Sequence, residues 1–292
     1  MPGKFRPCLK TSANIRLRSG RSGSFASSVR VATGSLRLRA TQNHVPCGNS
    51  AWEKEKQKSK MQEYINKIIN ADCLDILRQL PDKCIDLVLP DPPYRCISGG
   101  NNFHPGSCSG ILTVNDGKIF KHNDIAFSEW VPEVYRVLKD NSDFYCMTNT
   151  LNLFELHKVC SNAGFKLHNI LVWEKSTATP NRWYMKNCEY TLYYYKGRAK
   201  SINNPGSKTV HHFALHDTKI HPTEKPEQLF GFYIENSTQP GDLVLDPFCG
   251  SGTMAVACHK LKRRFICIEK DPDYWAASAE RLRKIQEQGL LF

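Results

Sequence analysis

Two short segments hold the residues whose types and spacing suit chemistry: Asp91-Pro92-Pro93-Tyr94, and the run from Asp246 to Thr253 that reads DPFCGSGT. In the first, a carboxylate precedes two prolines, which stiffen the backbone around the Pro92 carbonyl, and then an aromatic ring. Asp91 and the Pro92 carbonyl are two acceptors for an amine, and Tyr94 offers a flat face to a planar ring. That set suits an exocyclic amine of adenine or cytosine. Its lone pair is delocalised into the ring, and acceptors that favour a more tetrahedral nitrogen prepare it to attack an electrophilic methyl group. Direct attack needs no nucleophilic side chain. Methylation of a ring carbon does need a cysteine, and the two Pro-Cys pairs, Pro7-Cys8 and Pro46-Cys47, lie in a segment with no core-forming pattern.

The second segment sits between a strand-like run, DLVLD, and a helical one, TMAVACHKLK. Its glycines let the chain turn tightly and approach a ligand with no Cβ in the way. Glu269 ends the next strand, RFICIE, seventeen residues after Gly252. A carboxylate there is suited to accept hydrogen bonds from the two hydroxyls of an adenosine ribose. The loop lacks the third glycine of a dinucleotide fingerprint and begins with an acid, so Asp246 suits a cationic amino-acid moiety better than a pyrophosphate. A purely structural glycine turn is the alternative, and Cys249 within it reads as a small packing residue.

The elements that must position these motifs alternate between strand and helix from Met61 onward. The pattern predicts a strand over Tyr64–Asn70, a helix over Cys73–Leu80 and a strand over Cys84–Leu89 that runs into Asp91. A long polar stretch, 95–124, separates these from a helix (FSEWVPEVYRVLK), a strand (DFYCMTN), a helix (LFELHKVCSNAG), a strand (KLHNILVWEK) and an aromatic strand (YTLYYYKG). Residues 199–220 read as irregular; a helix (EQLFGFYIENS) then leads into the glycine loop, and a last amphipathic helix closes the chain. Such alternation predicts an α/β fold, a mostly parallel sheet covered by helices on both faces.

Of 292 residues, 40 are basic and 28 acidic, for a net charge of +12. The excess is local: residues 1–50 carry nine Lys/Arg and no acid, whereas 61–292 carry 27 basic and 26 acidic groups. The body of the chain therefore lacks the global charge of a nucleic-acid binder, and phosphate contacts there must come from local clusters. Residues 1–60, rich in Ser, Gly and Arg, are expected to be a disordered basic extension. A nucleic-acid arm, a transit peptide and an upstream extension without a role are the three readings of it. Twelve cysteines without C-x-x-C spacing point to reduced thiols and a cytoplasmic protein, with no metal site. No apolar run is long enough to span a bilayer.

With both motifs in place, residues 61–292 resemble a beta-class amino DNA methyltransferase, N6-adenine or N4-cytosine type, in which the catalytic motif precedes the cofactor loop. His221-Pro222-Thr223-Glu224-Lys225-Pro226 is similar to the family segment upstream of that loop, and Asn70-Ala71-Asp72 to its opening. The resemblance implies a single Rossmann-like domain, circularly permuted, with S-adenosyl-L-methionine as cofactor and double-stranded DNA as partner. It implies that Asp246, Phe248, Gly250, Gly252 and Thr253 form the cofactor loop, that Glu269 takes the ribose and Asp72 the adenine, and that Thr223 and Lys225 take the methionine end. Asp91, Pro92, Pro93 and Tyr94 would hold a base flipped out of the duplex. Asp72 reads equally as a helix N-cap, and Lys225 also reads as a solvated surface charge.

Target recognition would fall to 95–124 and 176–220. The latter holds Arg182, Trp183, Lys186, Arg198, Lys200, Lys208, His211 and His212, a basic and aromatic cluster. The DPPY spelling favours adenine N6, with cytosine N4 the alternative; a non-catalytic DNA-binding relative would be expected to have lost Asp91, Tyr94 or the glycines. Homodimerisation and a cognate restriction enzyme are features common in this class.

Overall fold

The computed structural model describes residues 51–93, 125–179, 184–214 and 224–289. Among these described residues fifteen elements follow one another: α1 (Ala51–Tyr64), β1 (Lys67–Asn70), α2 (Cys73–Leu77), β2 (Ile85–Val88), α3 (Phe127–Val137), β3 (Leu138–Thr148), α4 (Leu153–Ala163), β4 (Lys166–Thr179), β5 (Lys186–Tyr195), β6 (Val210–His212), α5 (Glu227–Ser237), β7 (Leu243–Asp246), α6 (Thr253–Lys260), β8 (Arg264–Glu269) and α7 (Pro272–Gly289). The eight strands form one sheet in the order β1-β8-β7-β2-β3-β5-β4-β6. Only β5 runs against its neighbours; every other pair is parallel.

The central strands β2, β7 and β8 are short and mostly apolar because both of their faces are covered. Alternate residues enter different cores: Val88, Leu243 and Leu245 face α2, α3 and α4, while Leu87 and Val244 face α5, α6 and α7. In α3 the buried Phe127, Trp130, Val131, Val134 and Val137 recur at helical spacing and fill the first core.

This order decides where the motifs meet. The last two strands of the chain, β7 and β8, lie between its first two, β1 and β2, with Asn70 beside Glu269, Asp246 beside Cys267 and Val88 beside Leu245. Parallel strands bring all of their carboxyl ends to one edge. The residues just beyond β1, β8, β7 and β2 therefore gather there, in the crevice where ligands bind in open α/β sheets.

Three sequence expectations need correction. The strand expected over Tyr64–Asn70 begins only at Lys67, because Tyr64 ends α1 and Asn66, at φ 60°, turns the chain into the sheet. Asn66 is held there by its N–H on the Phe265 carbonyl at 2.7 Å. Residues 51–60, assigned to the disordered extension, belong to helix α1, whose polar sequence has no apolar stripe to reveal it. The stretch 199–220 is not wholly irregular, since Val210–His212 adds the edge strand β6 beside β4; three residues are too few to show alternation. The rest of that extension, 1–50, lies outside the described residues, as does the whole of the long polar stretch 95–124.

Candidate active site

Asp246 ends β7 almost wholly buried, and its Oδ1 accepts the Phe248 N–H at 2.9 Å. Burial pushes this carboxyl well above the usual carboxylate range; the Phe248 N–H opposes the rise, and the nearby charges of Asp91 and Glu269 add to it. Beyond it the Phe248 ring packs edge to face on Trp130, centroids 5.1 Å apart, which locks the loop to α3. Gly250 and Gly252 take φ values of 49° and 75°.

Glu269, at the end of β8, receives the Gly250 N–H on Oε2 and the Asp271 N–H on Oε1, each at 2.8 Å. Burial raises this carboxyl too, against those two backbone donors. One cavity is lined by Asp72, Asp91, Pro93, Lys225, Asp246, Phe248, Gly250, Thr253 and Glu269, which brings together most of the residues singled out from the sequence. Gly252 does not line it. Its Cα faces α7, where a Cβ would stand 3.0 Å from the Ser278 Cβ, so its small size serves the packing of that helix.

Asp91 follows β2 in a segment pinned on both sides: the Leu89 N–H donates to the Leu245 carbonyl, and the Pro90 carbonyl accepts from Met147, both at 3.0 Å. Pro92 is buried behind it. Tyr94 and Thr223 lie outside the described residues.

Lys225, just before α5, is buried rather than solvated. Its Nζ donates to Asp91 Oδ2 at 2.5 Å and stands 3.2 Å from Glu189 Oε2 on β5. The cation expected at the methionine end of a cofactor thus sits on the motif carboxylate. Asp72 fits both of its readings, since it lines the cavity while its Oδ1 caps α2 through the Leu74 N–H at 2.9 Å. Burial works to raise this carboxyl, but Lys270, 2.9 Å from Oδ2, and the Leu74 N–H together hold it below the usual range.

The structure adds residues that the motifs did not mark. Glu189 is the lone acid of β5, a signal visible in KNCEYTLYYY but without a motif to interpret it. Arg281 of α7 donates to Glu224, the Ser251 carbonyl and Thr253 at 2.8, 3.1 and 3.2 Å, tying the segment before α5 to the glycine loop.

The expected basic cluster is divided. Because β5 runs antiparallel, Arg198 and Lys200 follow its end at the opposite edge of the sheet from Asp91; the Arg198 N–H binds Asn141, and Lys200 donates to the Ser237 carbonyl. His211 is buried against Phe232, and burial lowers its pKa, with the neighbouring His212 adding to the effect. Lys186 stays on the cavity side, where β5 begins; Arg182 and Trp183 lie outside the described residues.

A mostly parallel sheet with a glycine loop, an acid at the end of the next strand and a proline-stiffened carboxylate in one cavity defines an α/β enzyme domain of the methyltransferase type. The family model for N6 and N4 enzymes, described as DNA methylase, matches residues 85–280, and the chain belongs to that family. It is 30% identical over 243 residues to M2.MboI, a type II methyltransferase of Moraxella bovis, covering 75% of this chain and 88% of that protein. Among solved structures, M1.HpyAVI in complex with SAM matches with a TM-score of 0.57 at 24% identity, over 74% of this chain and 99% of that one. The PvuII DNA methyltransferase, cytosine-N4-specific, matches with 0.56 at 18%, over 76% and 93%. Both likenesses are of fold.

Proposed function

We propose that the protein methylates the N6 amine of adenine at specific sites in double-stranded DNA, with S-adenosyl-L-methionine as methyl donor. The observation that carries this reading is that Asp91 opens into the same cavity as Asp246 and Glu269, so a target amine and a methyl donor would meet there. The cavity suits the donor's charge: Asp246 is a buried and Glu269 a half-buried carboxyl, the ionisation of each is disfavoured, and a cationic ligand with hydroxyl donors relieves both.

Asp246, Phe248, Gly250 and Thr253 would hold the donor, Glu269 its ribose, Asp72 its adenine, and Thr223 its methionine end. When bound, it supplies an electrophilic methyl group. The chain's own work is positioning. Asp91 accepts one N–H of the amine and the Pro92 carbonyl the other, which draws the lone pair out of the ring, while Tyr94 stacks on the base. The base must leave the duplex to reach this cavity. A permuted strand order is part of this reading, supported by β7 and β8 lying between β1 and β2. The similarity to a type II methyltransferase supports a place in a restriction-modification pair.

Cytosine N4 is the second reading, favoured by the fold shared with the PvuII enzyme. Incubation with unmethylated duplex DNA, followed by digestion to nucleosides, decides between them. N6-methyladenine is the expected product, and N4-methylcytosine without it overturns the adenine assignment.

A further inference from the structure

A row of four charged side chains leads into the cavity with alternating sign. Lys175 of β4 donates to Glu189 Oε1 at 2.8 Å; Glu189 Oε2 faces Lys225 at 3.2 Å; Lys225 donates to Asp91 Oδ2 at 2.5 Å. The four come from β4, β5, the segment before α5 and the turn after β2. The two contacts of Lys225 differ in kind. That to Asp91 is a hydrogen bond, whereas that to Glu189 is an ion pair without hydrogen-bond alignment. Glu189 Oε2 is buried and has no hydrogen-bond partner among the described residues.

This arrangement poses a problem that the reaction must solve. The Lys225 ammonium on Asp91 Oδ2 takes a lone pair and offsets the negative charge of the carboxylate, which weakens Asp91 as the acceptor for a target amine. Drawing a buried ammonium away from its carboxylate is costly unless another anion receives it. Glu189 is that anion, near enough that a small rotation of Lys225 aligns the ammonium on Oε2 and leaves the net charge of the row unchanged. Glu189 is itself fixed, by Lys175 on its other oxygen and by its backbone position opposite Trp173. It also stays ionised. Burial would raise its carboxyl, but Lys225 and Lys175 outweigh that and hold it down to about 2.

We propose that Glu189 is a positioning residue for methyl transfer, the anion onto which Lys225 moves when the target amine takes its place on Asp91. The inference rests on the reading that Asp91 holds the target amine. A residue that merely neutralised Lys175 would affect stability and leave the transfer step alone.

The test uses the full chain, unmethylated plasmid DNA and S-adenosyl-L-methionine with a tritiated methyl group, read as methyl incorporation in a single turnover. Cofactor and DNA dissociation constants are measured alongside. Glu189→Gln should slow incorporation by at least about tenfold, the scale on which misplacing a reacting group acts, with both dissociation constants within about twofold. Because Glu189 acts through Lys225, adding Glu189→Gln to Lys225→Met should slow the reaction no further than Lys225→Met alone. A wild-type rate in Glu189→Gln, or losses that multiply in the double variant, overturns the proposal. Asp91→Asn separates the two layers. Loss of transfer there, together with an active Glu189→Gln, removes this inference only, whereas an active Asp91→Asn removes the assignment of Asp91 and this inference with it. Should Glu189→Gln fail to fold, Glu189→Asp, which keeps the charge but draws it back from Lys225, is read by the same criteria.

Discussion

The Gly250 N–H donates to Glu269 Oε2 at 2.8 Å, joining two residues nineteen positions apart. With the Asp271 N–H on the other oxygen, the Glu269 carboxylate is aimed before any ligand arrives, and each oxygen keeps a second lone pair for a ligand hydroxyl. The loop after β7 and the end of β8 therefore act as one preformed unit.

The two loop glycines should separate by substitution. A Cβ on Gly250 meets nothing within 4 Å, so Gly250→Ala carries only the cost of a left-handed backbone, about 1 kcal/mol. A Cβ on Gly252 would approach Ser278 Cβ at 3.0 Å and Ile68 Cδ1 at 3.3 Å, so Gly252→Ala adds overpacking and should lose about 2–4 kcal/mol. Urea unfolding of both variants measures this, and equal losses would contradict the packing role given to Gly252.

Asp246→Asn should stabilise the cofactor-free protein while weakening the cofactor. The folded carboxyl has a raised pKa, so its ionisation costs stability, and the cost grows as pH rises from about 4 through the folded value. Asparagine keeps an acceptor for the Phe248 N–H without that penalty. Melting temperature followed from pH 4 to pH 8 should rise by about 2–4 °C at neutral pH, the response to roughly 1 kcal/mol in a domain of this size. Calorimetry should show a weaker cofactor. An unchanged or lower melting temperature would mean that the ionised carboxylate is already compensated.

Glu189 bears on acid stability with the opposite sign. Its folded pKa of about 2 lies below the ordinary value for glutamate, so its contribution is full above about pH 4.3 and is lost as pH falls toward 2. Glu189→Gln should be less stable at neutral pH and should show a shallower acid limb between those values. An acid limb as steep as that of the wild type counts against Lys225 and Lys175 holding this carboxyl down.

A chain starting at Met61 should fold and keep its methyltransferase activity. The cut passes through α1, but none of the side chains described between 52 and 60 is buried, whereas Tyr64, which reaches Gln79 through a hydrogen bond of 2.8 Å, is retained. The expected loss is under about 1 kcal/mol, the scale of surface changes. Thermal denaturation beside the full chain measures it, and failure to fold would make the first half of α1 structural.

How much was legible in the sequence follows the range of the interactions. The turn at DPFCGSGT, the strand ending in Glu269 and the helix capped by Asp72 depend on neighbours a few residues away, so their types and spacing were readable. The polar helix α1 and the three-residue β6 escaped because neither has a hydrophobic period; β6 exists because β4 offers it an edge. Lys225 could be placed in a motif but not on its partners, since Asp91 is 134 residues distant along the chain and Glu189 lies on another strand.

The sequence by itself determined the family resemblance, most of the elements and the carboxylates suited to a methyl donor and an amine, because those are matters of residue type and local spacing. Only the tertiary structure decided that β7 and β8 insert between β1 and β2, that Gly252 serves a helix contact instead of the cavity, that Arg198 and Lys200 face away from it, and that Asp91 meets Lys225. Each of those depends on strand order and direction, which arise from packing whole elements against one another and leave no periodic trace in the chain.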